Sequence, residues 1–248
     1  MNTKDYFSGH SKLYATFRPS YPEALYEFIF RHVVNKNNAW DCATGNGQVA
    51  SYLAGYFETV QATDISKNQL DNAIEKNNII YSISPAEKTS FNDNQFDLIT
   101  VGQALHWFNA DAFYKEVNRV SKNNAVLAVW GYSVCSINPM IDKMLSDFYN
   151  NIVGPYWDNA RKLVEAHYDG IPFPFKEIAT PMFYIKVNWK PEEFMGYLTT
   201  WSATQKYIKE NGTDPVPFFG KDLSSHWGTD EAKEIIFPVF LKIGRIEK

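Results

Sequence analysis

The chain has 248 residues, of which 45% are hydrophobic and 16% aromatic, with a formal charge of −4; that is enough apolar surface for a substantial core, without the excess of basic residues a broad phosphate-binding face needs. Disorder and nucleic-acid binding are therefore poor readings. Two cysteines, Cys42 and Cys135, with no CxxC pair, and five scattered histidines offer neither a disulfide framework nor metal-ligand spacing, and no apolar run reaches membrane-spanning length. We expect a cytoplasmic protein with no metal, no membrane partner and no nucleic-acid partner, its oligomeric state open.

In chain order, Tyr21-Pro22-Glu23 opens a predicted amphipathic helix in which Leu25, Phe28, Ile29 and Val33 recur at helical spacing, ending near 35–38. A short apolar run follows, Ala39-Trp40-Asp41-Cys42, and leads into Ala43-Thr44-Gly45-Asn46-Gly47 and a helix over 48–56. Further strands are predicted at 59–62, 79–83, 96–101 and 125–130, separated by helices over 67–76 and 111–121. From 131 to 180 the pattern loosens into aromatics and prolines, read as a cap inserted after the fifth strand. Two last strands, 183–189 and 237–246, flank a helix that starts at Pro191-Glu192-Glu193 and shows Phe194, Tyr197, Leu198 and Trp201 on one face. The alternation predicts an α/β fold: one domain over 1–248 with a Rossmann-like, seven-stranded, mostly parallel sheet, helices on both faces and a helical, aromatic cap. Ligands of such sheets bind beyond the carboxyl ends of the strands, where Asp41, Asp64 and Gly102 fall.

Gly45 and Gly47 can adopt positive φ and let backbone approach a ligand closely, and the helix that follows aims its first N–H groups into the same space. Gly45 to Ala50 also fits the G-x-G-x-x-G/A pattern of dinucleotide enzymes, with Asp64 about 20 residues on, where a ribose-binding acid belongs. Asp41 separates the two cofactor readings. A carboxylate directly before the turn suits a cationic or zwitterionic ligand such as S-adenosylmethionine and opposes a pyrophosphate.

The stretch Asp41-Cys42-Ala43-Thr44-Gly45-Asn46-Gly47 resembles the first motif of class I S-adenosylmethionine-dependent methyltransferases, in the branch of trans-aconitate methyltransferase-like proteins. Tyr14, Arg18-Pro19 and Tyr21-Pro22 resemble that branch's N-terminal block. Gln103 to Phe108 is similar to its fourth motif, and Thr200-Trp201-Ser202-Ala203 with Ile243-Gly244-Arg245 to its C-terminal part. Ala43 departs from the pattern, standing where the family usually has glycine. The resemblance implies that S-adenosylmethionine binds and leaves as S-adenosylhomocysteine. It also implies that Asp64 holds the ribose hydroxyls, that Gly45 and Gly47 give the backbone its close approach, and that Asp41 orients the amino end. Ala43 would lie against the methionine moiety, Ala86 and Glu87 near the adenine edge, and Gln103 at the methionine tail.

The remaining candidates carry two readings each. His106 is either a base for a hydroxyl acceptor or part of the sheet's cover, and Glu87 is either a ligand contact or a solvated loop acid. Arg18, with Tyr14, offers a planar donor fork to a carboxylate. Trp107, Tyr156, Trp157 and Trp201 are substrate-lining candidates whose other reading is packing, the commoner role of aromatics. Gly102-Gln103-Ala104-Leu105 differs from the Asn/Asp-Pro-Pro-Tyr of enzymes that methylate nucleobase amines, which favours a small-molecule acceptor. The branch implies a carboxylic acid, the aromatic cap a partly apolar molecule. An NAD(P)-dependent oxidoreductase and a non-catalytic, cofactor-binding regulatory protein stand as rivals.

Overall fold

The computed structural model describes residues 17–228 and 231–248. Pro22, extended, starts α1 (Glu23–Arg31), whose buried face is Leu25, Tyr26, Ile29 and Phe30. There follow β1 (Asn38–Cys42), α2 (Gln48–Leu53), β2 (Thr59–Asp64), α3 (Lys67–Leu70), β3 (Ile79–Ile83), β4 (Phe96–Gly102), α4 (Ala110–Val120) and β5 (Ser121–Tyr132). The cap opens with α5 (Pro139–Asp147), widens into a π turn at Phe148–Ile152 and closes with α6 (Arg161–Glu165). Then come β6 (Lys176–Glu177), β7 (Phe183–Trp189), α7 (Pro191–Thr199), α8 (Ser202–Asn211), α9 (Val216–Trp227) and β8 (Lys233–Arg245).

The sheet runs β3-β2-β1-β4-β5-β8-β6, with β7 also paired to β8. Strands β1 to β5 are parallel, whereas β6, β7 and β8 join antiparallel. Strand alternation supplies two cores. In β5, Val126, Ala128 and Trp130 face α1 and α2, while Leu127 and Val129 face α4, where Phe113, Val117 and Val120 are fully buried. The order reverses between β1 and β4, so the loops after those two strands open side by side at the carboxyl edge.

This is the expected α/β, Rossmann-like arrangement with a cap after the fifth strand, corrected from seven strands to eight. The additional strand, β6, is two residues long and carries no periodicity of its own; it exists because Lys176 and Glu177 pair with Arg245 and Gly244. The helix expected over 67–76 ends at Leu70. Beyond it, Ile74 N donates instead to Asn46 O at 3.0 Å, and the Asn78 amide ties to Ala54 and Phe57 carbonyls. The single helix expected between the last two long strands is three, and Trp201 sits at the start of α8 rather than on α7.

Gly244 lies under the short strand. A Cβ there would stand 2.6 Å from the Phe173 ring, 3.1 Å from Phe175 Cβ and 3.2 Å from the Lys176 carbonyl. Gly244→Ala is expected to destabilise the fold by about 1–3 kcal/mol, the usual cost of overpacking, as read by urea unfolding; an unchanged midpoint would contradict the tight packing of β6 on β8.

Candidate active site

The turn after β1 is shaped by Asp41, which is 1% exposed. Its Oδ2 accepts from Thr44 Oγ1 at 2.5 Å and from Ala50 N at 3.1 Å, and its Oδ1 from Thr100 Oγ1 at 2.9 Å. Gly47, the residue before α2, has no side chain with which to cap that helix, so the strand-end carboxylate does it from outside. Burial pushes the Asp41 carboxyl up to about 6, against the three hydrogen bonds that favour its charge. Asp64, at the end of β2 and half-buried, accepts from Gly45 N and Ser66 N at 2.9 Å each. The two acids thus hold the turn from either side.

Backbone conformation is left-handed at Ala43 (φ 55°), Gly45 (φ 57°) and Gly47 (φ 81°). The Gly45 position faces open space, with no atom within 4 Å of where a Cβ would stand, whereas at Gly47 a Cβ would meet Tyr81 Oη at 2.2 Å. Gly45 is therefore the open rim of the turn and Gly47 its packed shoulder. The chemistry around it is acidic: after burial, Asp41, Glu87 and Asp64 are what push the buried Cys42 thiol up. Ala86 is buried, and Glu87 Oε1 accepts from Asn109 N at 2.9 Å, at the start of α4.

After β4, Gln103 is also left-handed, at φ 51°. Its N–H donates to Trp130 O and its Oε1 accepts from Tyr132 N, both at 2.7 Å, which ties the loop to the end of β5. Gln103 and His106 line a cleft that is open to solvent. Aromatic walls come from Trp107, Tyr132, Trp157, Tyr197 and Trp201, and charged ones from Arg18, Asp158 and Arg161. Arg18 Nη1 donates to Tyr132 Oη and Nη2 to Thr200 O at 3.3 Å, and its guanidinium lies 5.5 Å from the Tyr197 ring centre. His106 Nδ1 is 3.1 Å from Tyr168 Oη. Burial, assisted by Arg161 and opposed by Asp158, pushes His106 down to about 3, so its imidazole is neutral at ordinary pH. Tyr168 follows His167, and both are left-handed, at φ 62° and 52°.

The fold therefore gathers Arg18, Gln103, His106, Trp107, Trp157 and Trp201 around one cleft, and groups Asp41, Ala43, Gly45, Gly47 and Asp64 on the neighbouring turn. Tyr156 faces elsewhere: its ring packs on Tyr207 and its hydroxyl accepts from Asn211. Tyr14 lies outside the described residues. Sequence reasoning missed Tyr132, Asp158, Arg161 and Tyr197, which reach the cleft from separate elements without a shared local pattern. Among the described residues no group of three or more His, Cys, Asp or Glu could hold a metal ion, and no helix is long and apolar enough to cross a membrane.

Ala43 bears a left-handed penalty of about 1–2 kcal/mol, and glycine would add an entropy cost of about 0.5–1 kcal/mol. Ala43→Gly is accordingly expected to raise the unfolding free energy by about 0.5–1 kcal/mol, and a loss of stability would contradict the strain. For His106, the unfolded chain takes up a proton near pH 6.5 and the folded chain only near pH 3. Its contribution is complete above pH 6.5 and is lost as pH falls through that window. Wild type should lose thermal stability between pH 7 and pH 4 more steeply than His106→Gln; parallel curves would show that His106 titrates normally. Asp41 acts with the opposite sign in both proteins and cancels in the difference.

The methyltransferase domain model matches residues 40–129, from within β1 to late β5. A protein of Dictyostelium discoideum named "Putative methyltransferase" is 31% identical over 251 residues, covering 98% of this chain and 95% of its own. The solved structure of a "Putative Type II Methyltransferase" from Anaeromyxobacter dehalogenans is 33% identical and matches with a TM-score of 0.86, over 93% of this chain and 99% of its own. With that likeness running through turn, sheet and cap, the chain belongs to the class I S-adenosylmethionine-dependent methyltransferases.

Proposed function

We propose that this chain methylates a small-molecule carboxylic acid with S-adenosylmethionine, as a single domain over 1–248 whose cap insertion is the segment 131–180. The acidic turn supports the cofactor assignment: Asp41, Asp64 and Glu87 surround a loop without a basic residue, a donor set that suits a cation and opposes the pyrophosphate of NAD(P). Asp64, which closes the turn on Gly45 N, would hold the two ribose hydroxyls, the open rim at Gly45 would admit the ligand, and Ala43 and Gln103 would lie toward the methionine end. Ala86 and Glu87 would border the adenine. Asp41, spent on Thr44, Ala50 and Thr100, would orient the amino end through the loop it shapes.

When bound, the cofactor supplies a methyl group on a positively charged sulfur. The observation that carries the acceptor assignment is the neutral His106. A hydroxyl acceptor needs a base to remove its proton, and an imidazole pushed down to about 3 is a poor one. A carboxylate has no proton to lose: one of its oxygens bonds to the methyl carbon as the carbon–sulfur bond breaks, and the electron pair stays on sulfur. The protein's work is then to align the acceptor and exclude water, with Arg18, anchored on Tyr132 and Thr200, lending positive charge to the cleft and Trp107, Trp157 and Trp201 covering the acceptor's body. Membership of the trans-aconitate methyltransferase-like branch is supported by the N-terminal and C-terminal blocks, and a cytoplasmic location by the free, buried thiols of Cys42 and Cys135.

Ligand-linked stabilisation tests the assignment. S-adenosylmethionine and S-adenosylhomocysteine at about 100 times their dissociation constants should each add about 2.7 kcal/mol, seen as a raised unfolding temperature, while NAD and NADP leave it unmoved. A rise with NAD or NADP alone would make the turn a dinucleotide site.

A further inference from the structure

Arg161 is held on one edge and one face. Its Nε donates to Tyr149 Oη at 3.0 Å, and that hydroxyl donates in turn to the Glu165 carboxylate. The guanidinium carbon lies 5.1 Å from the Trp157 ring centre and 5.8 Å from that of Tyr149. These are its side-chain partners among the described residues, and none of them takes the two terminal nitrogens. The other charged groups of the cleft differ. Arg18 uses both terminal nitrogens on Tyr132 and Thr200, and Asp158 stands 3.8 Å from Lys206 Nζ.

A guanidinium fixed in this way presents a planar fork with little rotamer freedom left to lose. Beside it, Trp157 packs on Trp201 at 5.5 Å between ring centres, giving an apolar wall next to the fork. Building on the carboxylic-acid reading above, we infer that Arg161 determines acceptor specificity: its terminal nitrogens hold a carboxylate of the acceptor while the acceptor's apolar body lies along Trp157 and Trp201. A carboxylate fits better than a phosphate monoester, because Asp158 stands in the same wall and a second negative charge would face it. A neutral acceptor would displace water from the fork without replacing its hydrogen bonds.

The test is calorimetric titration of the whole chain, saturated with S-adenosylhomocysteine, with 3-phenylpropionate, its neutral amide and phenyl phosphate. Wild type should bind the acid at least about tenfold more tightly than the amide and more tightly than the phosphate. Arg161→Met should erase the preference for acid over amide while keeping affinity for S-adenosylhomocysteine, and Arg161→Lys should restore part of it. Tyr149→Phe, which keeps the ring and removes the brace on Nε together with the hydrogen bond to Glu165, should produce a smaller loss. Survival of the acid preference in Arg161→Met, tighter binding of phenyl phosphate, or no binding of the acid to a chain that binds S-adenosylhomocysteine would each overturn the assignment. Failure to bind S-adenosylhomocysteine at all would instead overturn the methyltransferase reading beneath it.

Discussion

A buried carboxylate at the end of the first strand organises the candidate active site. Asp41 receives a hydroxyl from Thr44, an amide from the first turn of α2 and a hydroxyl from Thr100 on β4. Hydrogen bonds to a charged group contribute about 1.5–3 kcal/mol each, and these three oppose, without cancelling, the burial that favours the neutral acid. They join strand, turn, helix and neighbouring strand at one point. With Asp64 on Gly45 N and Thr63 O on Thr44 N, that join holds a turn containing three left-handed residues.

The strain is not spread evenly over the molecule. Of the six left-handed non-glycine residues among those described, Ala43 and Gln103 stand at the ends of β1 and β4, where the sheet order reverses, His167 and Tyr168 stand beside the cleft, and the other two are Asn94 and Asn124. Such conformations cost about 1–3 kcal/mol each and persist where surrounding contacts over-determine them. Gln103 is fixed at both backbone and side chain by the end of β5, and Tyr168 is buried with its hydroxyl on His106. Rigid placement of the cleft lining is what an enzyme that works by alignment requires. Polarity is divided accordingly, with acids around the turn after β1 and two guanidinium groups, beside one acid, around the cleft.

Much of this was legible in the sequence. The first five strands announce themselves as short apolar runs with turn residues between them, and Asp41, Gly45, Gly47 and Asp64 fall at strand ends by simple counting. Other parts depend on distant partners. The strand β6 is recognisable only from its pairing with Gly244 and Arg245, and the helix predicted over 67–76 gives way because Ile74 binds Asn46. His106 reads as a base from its place after β4, but its protonation is set by burial and by Arg161, which is 55 residues further along the chain. Residues such as Tyr132, Arg161 and Tyr197 reach the cleft from separate elements, and no local pattern marks them as neighbours.

The most direct measurement is titration of S-adenosylhomocysteine into the wild-type chain and into Asp64→Asn, both checked for intact folding. If the acidic turn is the cofactor site, wild type binds and the substitution weakens binding by about tenfold or more, as loss of a charge-assisted contact requires. Equal affinities in two folded proteins would place the cofactor elsewhere and contradict the assignment of the turn.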